Sequence, residues 1–317
     1  MTDTQNEVFK TPVNKIRLFE HGAPGSQNFK LTRKYYTEDM PDGRVKHIVQ
    51  NITDPDIVPY IPDGIGNSTD RQRIPAVLII PGGAFRRLVY NFEGEDVAKW
   101  LNSMGIAAFV LECRLPSDEH DNAEDVPLID AMRAMRVIRG RAQEFGIDEA
   151  KIGVIGFSAG GFMAALLSTA YESDVYADYK YKDEYDKLSA RPDFAVCSYP
   201  VISIDDCIEA GKRYMSEEQV LERISDSKAK ILHKYNPDKL VRPDMPPVFI
   251  CETDDDRTTL SENSVGFYMA ARKAGVSAEL HIFRTGGHGY GCGDDFAQTG
   301  EWKVLFTKWI KSIGIIS

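Results

Sequence analysis

No basic block stands out anywhere in this chain, which carries 38 Lys and Arg against 48 Asp and Glu, a formal charge of -10 at pH 7. Without a cationic stripe to offset the repulsion, nucleic acid and anionic membrane surfaces are excluded as partners, and a neutral or weakly charged small molecule is the expected substrate. Long apolar runs are missing as well, and none approaches the roughly 18 residues of a membrane span. The polar start, Met1 to Glu7, lacks the cationic-then-apolar order of a secretion leader. Cysteine is scarce and unpaired in pattern: five residues, Cys113, Cys197, Cys207, Cys251 and Cys292, widely spaced and with no C-x-x-C pair. That excludes a disulfide framework and is expected of a reduced, cytoplasmic chain. There is no internal repeat, no low-complexity tract and no second segment with a core of its own.

What is present centres on Lys151 to Gly161, a short apolar run ending in Gly156-Phe157-Ser158-Ala159-Gly160, followed by Phe162, Met163, Leu166, Leu167 and Ala170 at helical spacing. The pattern predicts strand, sharp turn, helix, with Ser158 at the tip. Glycines two before and two after let strand and helix approach closely around a strained residue. The helix N-terminus behind Ser158 favours negative charge developing on an attacked carbonyl oxygen.

Around this stretch the chain alternates. Residues 1 to about 44 are polar and broken by Gly22, Pro24 and Gly25, and are expected to form an extended arm or irregular cover. Arg44 to Tyr60, interrupted by Pro55 and Pro59, suits an edge strand or hairpin. After a turn-rich loop from Pro62 to Asp70, Ile74 to Ile80 reads as a strand covered on both faces. A helix over Glu93 to Met104, a strand over Ile106 to Leu111 and a helix over Ala123 to Phe145 follow, the helices closed by Gly105 and Gly146. Beyond the central stretch, strands are expected at Phe194 to Pro200, Pro247 to Cys251 and Glu279 to Phe283. Ser261 to Ala274 should be a helix, and Phe296 to Ser312 another, with Val304, Leu305 and Trp309 inward. The order predicts an α/β fold with a mostly parallel central sheet and helices on both faces. Residues 45–317 then form one domain with insertions at about 171–191, a surface segment at the substrate rim, and 205–245, a small lid or cap.

A serine needs a base to take its proton, and the base needs a third group to hold its tautomer. In a fold of this order the acid and then the histidine follow the serine. His21, His47 and His120 precede Ser158, His233 lies in the cap segment and His281 lies mid-strand, where a structural histidine is expected. His288, in Thr285-Gly286-Gly287-His288-Gly289-Tyr290-Gly291 after the last strand, is the candidate base. The acid should follow the penultimate strand, at Thr253-Asp254-Asp255-Asp256-Arg257; spacing alone does not separate Asp255 from Asp256. Oxyanion donors are expected from the backbone of Ala159 and, after the earlier strand, of Gly83 and Ala84. Cys292, Asp294 and Asp295 near His288 match no metal-ligand spacing, and the central turn lacks the lysine of a phosphate-binding loop, so neither metal nor cofactor is expected. Cys113 and Cys251 are expected to pack as small apolar groups. Tyr90, Asn91, Phe92, Tyr199, Pro200 and Tyr290 are candidates either for a pocket wall or for plain packing.

Over roughly residues 45 to 312 the chain resembles the α/β-hydrolase superfamily, specifically the small esterases allied to acetyl esterases, xylan acetyl esterases and the bacterial feruloyl-esterase-like group. The likeness rests on Pro81-Gly82-Gly83-Ala84-Phe85, Glu93-Gly94-Glu95, Gly105 to Val110, Gly156 to Gly161, Ala190 to Phe194 and Gly287-His288-Gly289. It implies Ser158 as nucleophile and His288 as base. The family's acid commonly stands in an Asp-x-x-Val-Pro frame, which here aligns with Asp256-Arg257-Thr258-Thr259-Leu260 and so implies Asp256. Ala84 stands where a third glycine is usual and Pro81 where relatives often carry histidine; backbone donors survive both changes.

Three functions are weighed. A serine carboxylesterase cleaving short acyl groups, acetyl foremost and from carbohydrate among other alcohols, uses the whole constellation through an acyl-enzyme. An exopeptidase of the same fold shares the turn at Ser158, but such enzymes usually add a propeller or amine-binding domain, and no such segment is visible. A non-catalytic binding module tends to lose nucleophile or base, and both are present. Acyl length, alcohol and oligomeric state are not legible from the residues, and a homo-oligomer is compatible with them.

Overall fold

From the N-terminus the strands are β1 (Ile16–Arg17), β2 (Lys34–Asp39), β3 (Val45–Gln50), β4 (Asp56–Tyr60), β5 (Ile74–Ile80), β6 (Leu88–Val89), β7 (Ala107–Glu112), β8 (Ile147–Phe157), β9 (Ala195–Ser198), β10 (Val248–Thr253) and β11 (Ala278–Phe283). The helices are α1 (Asp96–Ser103), α2 (Val126–Gly140), α3 (Ala142–Phe145), α4 (Ala159–Ala170), α5 (Ile204–Lys212), α6 (Lys230–Lys234), α7 (Ser261–Lys273) and α8 (Glu301–Ser312). The structure is a computed structural model that describes residue 9 and residues 13–317 apart from 65–72, 119, 214, 217, 221–229 and 294–297. The polar start at Met1 to Glu7, most of the Pro62 to Asp70 loop, part of the cap insertion, Asp294, Asp295 and the expected helix start at Phe296 lie outside the described residues.

The uniformly apolar runs become the middle of an eight-stranded sheet, in the order β1-β4-β7-β5-β8-β9-β10-β11. Every neighbouring pair from β7 to β11 is parallel. β7 and β10 are buried at every residue, as strands covered on both faces must be. β4 joins β7 antiparallel and β1 joins β4 antiparallel. One continuous hydrophobic core runs from Leu18 to Ile315.

Three expectations need correction. Among the described residues of the first 44, two strands stand where an extended arm or irregular cover was expected. β1 extends the main sheet, and β2 pairs with β3 and β6 in a second, three-stranded antiparallel sheet, so a boundary at 44 would cut the β2–β3 pair. The arm is also tied inward by the fully buried Arg114, which pairs with Asp130 at 2.7 Å and donates to Ser26 Oγ at 2.8 Å and to the carbonyl of Pro24. Arg44 to Tyr60 is not one hairpin, because β3 and β4 belong to different sheets. Residues 171–191 form a surface segment, as expected, and it packs on the arm and on α2. Arg133 bonds Asp183 and Asp186, and the Tyr179 hydroxyl donates to Gly22 O at 2.9 Å. In α8 the buried face is Trp302, Phe306, Trp309 and Ile310, with Leu305 partly buried against the core; of the residues expected inward, Val304 is instead 47% exposed.

The remaining cap segment, α5 and α6, leaves after β9 and returns before β10. It is fixed to the start of α2 where Lys234 and the Tyr235 hydroxyl both meet Asp125. Because β5, β8, β10 and β11 run parallel, the loops that follow them emerge at one edge. Those loops carry Gly82 to Phe85, Ser158, Asp254 to Asp256 and His288.

Candidate active site

Ser158 sits between β8 and α4 with φ 53° and ψ -117°, a backbone state that an L-residue adopts at a cost of about 1–3 kcal/mol. Its surroundings hold it there. The Ser158 N–H donates to Ser198 O at 3.0 Å, and its carbonyl accepts from Phe162 N at 3.0 Å and Val201 N at 3.3 Å. The flanking glycines are required by space: a Cβ on Gly156 would lie 1.9 Å from Gly160 O, and one on Gly160 2.0 Å from Ile80 O.

The structure brings three candidates into line. His288 Nε2 lies 2.8 Å from Ser158 Oγ, and His288 Nδ1 lies 2.6 Å from Asp256 Oδ2. Asp256 is 3% exposed, and its Oδ1 accepts the amides of Thr258 at 2.7 Å and Thr259 at 3.0 Å. Burial pushes its carboxyl upward, but the His288 hydrogen bond and charge and the two amides outweigh burial and hold it below the ordinary carboxylate range. An ionised Asp256 assigns the Nδ1 proton to the donor side, which leaves Nε2 as the acceptor for the Ser158 hydroxyl.

Asp254 and Asp255 are exposed, and Asp255 serves a different partner, accepting the Gly287 N–H at 2.8 Å. Of the other histidines, His281 meets Glu279 and His120 meets Ser26, both away from Ser158.

The expected oxyanion segment is curled by three successive residues of positive φ: Gly83 at 137°, Ala84 at 56° and Phe85 at 58°. Arg86 and Arg87 close the turn onto Gly83 O, at 3.2 and 3.3 Å. The Gly83 and Ala84 amides make no backbone hydrogen bond among the described residues, and Ala159, first in α4, keeps its N–H outside the helical ladder.

Sequence reasoning missed several groups at this edge. Glu93, 5% exposed, accepts from Gly82 N at 2.8 Å and from the Tyr199 hydroxyl at 2.9 Å. Its neighbour Glu95 is equally acidic, and nothing in the sequence distinguishes the two. Thr259 Oγ1 donates to Asp256 Oδ2 at 3.0 Å. Glu252, fully buried in β10, is pushed well above the usual carboxylate range by burial and then by the Asp256 charge, so the negative charge resides on Asp256. An acid inside an apolar strand was the available signal for Glu252. Tyr90, Tyr199 and Tyr290 are each under a tenth exposed and pack inside. Cys113, Cys197 and Cys251 are free and buried, Cys292 is buried, and burial pushes the Cys251 thiol up to about 12. Among the described residues no cluster of His, Cys, Asp and Glu could hold a metal ion, and no helix is long and apolar enough to cross a membrane.

Residues 65–270 match the BD-FAE family over more than half of the chain. The chain belongs to the BD-FAE family. Within and beyond it, the chain is 30% identical over 240 residues to an acetylxylan esterase of Xylanibacter ruminicola, a match covering 75% of this chain and 45% of that protein. The chain thus spans under half the length of the curated relatives it matches. Among solved structures, an acetyl ester-xyloside bifunctional hydrolase from Caldicellulosiruptor lactoaceticus superposes with a TM-score of 0.70 at 36% identity, covering 96% of this chain and 97% of that one. A carboxylesterase from Lactobacillus plantarum, 20% identical with a TM-score of 0.67 and covering 90% and 99%, shares the fold. This BD-FAE member therefore has the α/β-hydrolase fold, with the mostly parallel sheet described above.

Proposed function

We propose that the protein is a serine carboxylesterase that hydrolyses short acyl esters, acetyl foremost, including those carried by carbohydrates. The observation that carries this reading is the hydrogen-bonded line from Ser158 through His288 to the buried Asp256. The acetylxylan esterase and acetyl ester-xyloside hydrolase among its relatives support the choice of acyl group and alcohol. A reducing, cytoplasmic setting suits the free thiols of Cys113, Cys197 and Cys251.

In the reaction, His288 Nε2 takes the Ser158 proton as Oγ attacks the ester carbonyl. Asp256 stabilises the imidazolium that forms. The carbonyl oxygen, now an oxyanion, is received by the amides of Ala159, Gly83 and Ala84, each donor being worth about 10²–10³ in turnover. His288 hands its proton to the departing alcohol, leaving an acyl-enzyme. Water, deprotonated by the same Nε2, then releases the acid and restores Ser158.

Turnover of p-nitrophenyl acetate by the wild type, lost in Ser158→Ala, is the expected result. Unchanged turnover in that variant would remove Ser158 from the chemistry. Aminoacyl anilides, tested alongside acetylated xylo-oligosaccharides, separate the exopeptidase alternative; labelling of Ser158 by a fluorophosphonate probe separates the non-catalytic one.

A further inference from the structure

Two loops must keep a fixed spacing for the proposed chemistry: Gly82 to Phe85, which offers the oxyanion donors, and Gly287 to Gly291, which carries the base. They come from opposite sides of β8, and one pair of buried side chains spans the gap between them. Glu93 projects from the wide helical turn at Asn91–Glu95. Its Oε2 accepts the Gly82 N–H at 2.8 Å and its Oε1 accepts the Tyr199 hydroxyl at 2.9 Å. The same Tyr199 oxygen accepts the Gly291 N–H at 3.0 Å, three residues beyond His288.

The donors and acceptors can be satisfied in only one way. Gly82 N and Gly291 N can only donate, so the phenol proton must go to Glu93, and both carboxylate oxygens then accept. A protonated Glu93 would leave one hydrogen without an acceptor. Burial is the strongest influence and holds the Glu93 carboxyl above its ordinary value, and the His288 ring, the Tyr199 bond and the Gly82 amide offset it only in part, so it is the geometry of its two donors that calls for an ionised Glu93. Burial and the Glu93 charge keep Tyr199 a neutral phenol, as a donor must be.

Tyr199 is itself held firmly. It has φ 37°, its N–H donates to Cys251 O at 2.7 Å, and its ring lies edge-on to His288 at 5.0 Å and to Tyr290 at 4.5 Å. Gly291 is buttressed in turn by Trp302 Nε1, which donates to its carbonyl at 3.1 Å. A Cβ on Gly82 would meet Glu93 Oε2 at 2.7 Å and Ser158 Cβ at 3.0 Å, so Gly82 packs closely against both.

We propose that Glu93, acting through Tyr199, is a positioning residue that sets the distance between the oxyanion loop and the His288 loop. It touches neither substrate nor reacting atoms. The proposal rests on the serine-esterase reading above, and it deepens it.

The test is a double-mutant cycle with Glu93→Gln and Tyr199→Phe, each checked for folding by thermal melting. A glutamine at 93 has one acceptor for two donors, so either Gly82 N or the Tyr199 hydroxyl faces an amide NH₂. Glu93→Gln should lower kcat for p-nitrophenyl acetate about 10²-fold with KM held within about threefold, the signature of misplaced reacting groups and not of lost substrate binding. Tyr199→Phe keeps the ring against His288 while cutting the link. Combined with Glu93→Gln it frees the glutamine oxygen for Gly82, so the double variant should lose no more than the worse single one.

The rate at which Ser158 reacts with a fluorophosphonate probe should follow the same pattern. A folded Glu93→Gln with wild-type kcat and labelling rate, or losses that multiply in the double variant, would overturn the proposal. If Glu93→Gln does not fold, Tyr199→Phe at wild-type kcat overturns it alone. A wild type that labels but cleaves no ester overturns the esterase reading only, with the labelling rates then deciding Glu93; a wild-type Ser158 inert to the probe overturns both.

Discussion

Asp255 and Asp256 are adjacent in the chain and face different partners: Asp256 Oδ2 lies 2.6 Å from His288 Nδ1, while Asp255 Oδ1 takes the Gly287 N–H at 2.8 Å. The two aspartates should therefore separate cleanly in activity. Asp256→Asn puts an amide against Nδ1, favours the wrong tautomer and should lower kcat by about 10⁴. Asp255→Asn keeps an acceptor for Gly287 and removes no charge from the imidazole, so a loss under about tenfold is expected, by the modest net worth of one exposed hydrogen bond. Ester turnover by the two variants, measured side by side, checks both.

The turn at Ser158 allows no extra atoms, whereas α7 does. Gly160→Ala would place a methyl 2.0 Å from Ile80 O and should cost about 3 kcal/mol or more by overpacking against backbone, seen as a lower urea midpoint. Gly266, inside α7 with nothing within 4 Å of an added Cβ, offers the contrast. Gly266→Ala should raise stability by about 0.5–1 kcal/mol through helix propensity. A Gly160→Ala variant as stable as wild type would show that strand and helix do not approach as closely as described.

The sheet was legible because several of its strands contain near-continuous apolar runs, a signal that survives without any knowledge of partners; β5 runs over Ile74–Ile80 as its residues suggest. The members of the candidate site that the structure brings together were legible where motif and chain order coincide, at Ser158, His288 and the Asp255–Asp256 pair. The arm was not. β1 is two residues long and is ordered by pairing with β4, so its state is fixed by a partner and not by its own pattern. Val304 was expected inward with Leu305 and Trp309, yet it is exposed while Trp302 and Phe306 are buried beside Trp309, an ambiguity that short helices with apolar residues on several sides leave open. Glu93 was legible only as part of the Glu93-Gly94-Glu95 likeness and not in its role, for a different reason: a buried carboxylate is stabilised by the amide and the phenol that reach it, and those come from loops distant in sequence.

Thr259 occupies the place where the resemblance leads one to expect valine, and its hydroxyl adds a bond to Asp256 Oδ2 at 3.0 Å while lying 3.3 Å from Tyr199 O. Thr259→Val restores the usual shape without the hydroxyl. The amides of Thr258 and Thr259 still hold Asp256 Oδ1, so the carboxylate stays in place with one donor fewer. A fall in kcat of about fivefold, equivalent to the ~1 kcal/mol of one hydrogen bond, is expected at an unchanged KM. A loss as large as that of Asp256→Asn would mean that Thr259, and not the amides, orients the acid.

Acid should remove the stability that Asp256 supplies. Its carboxyl is held below the ordinary carboxylate range in the folded chain, so folding favours the ionised form. The contribution is present in full above the unfolded-state value near about 4 and is lost as pH falls through the lower native value. Other carboxylates held down by hydrogen-bonded partners, among them Asp183 beside Arg133 and Asp244 beside Tyr171 and Arg242, add to the acid slope in any variant. The difference between wild type and Asp256→Asn isolates the one group. Urea midpoints should lie apart at neutral pH, with wild type the more stable, and should converge as the pH drops below about 4, the range in which an ordinary aspartate protonates. A gap that stays constant down to strong acid would show that the charge on Asp256 contributes nothing to the fold.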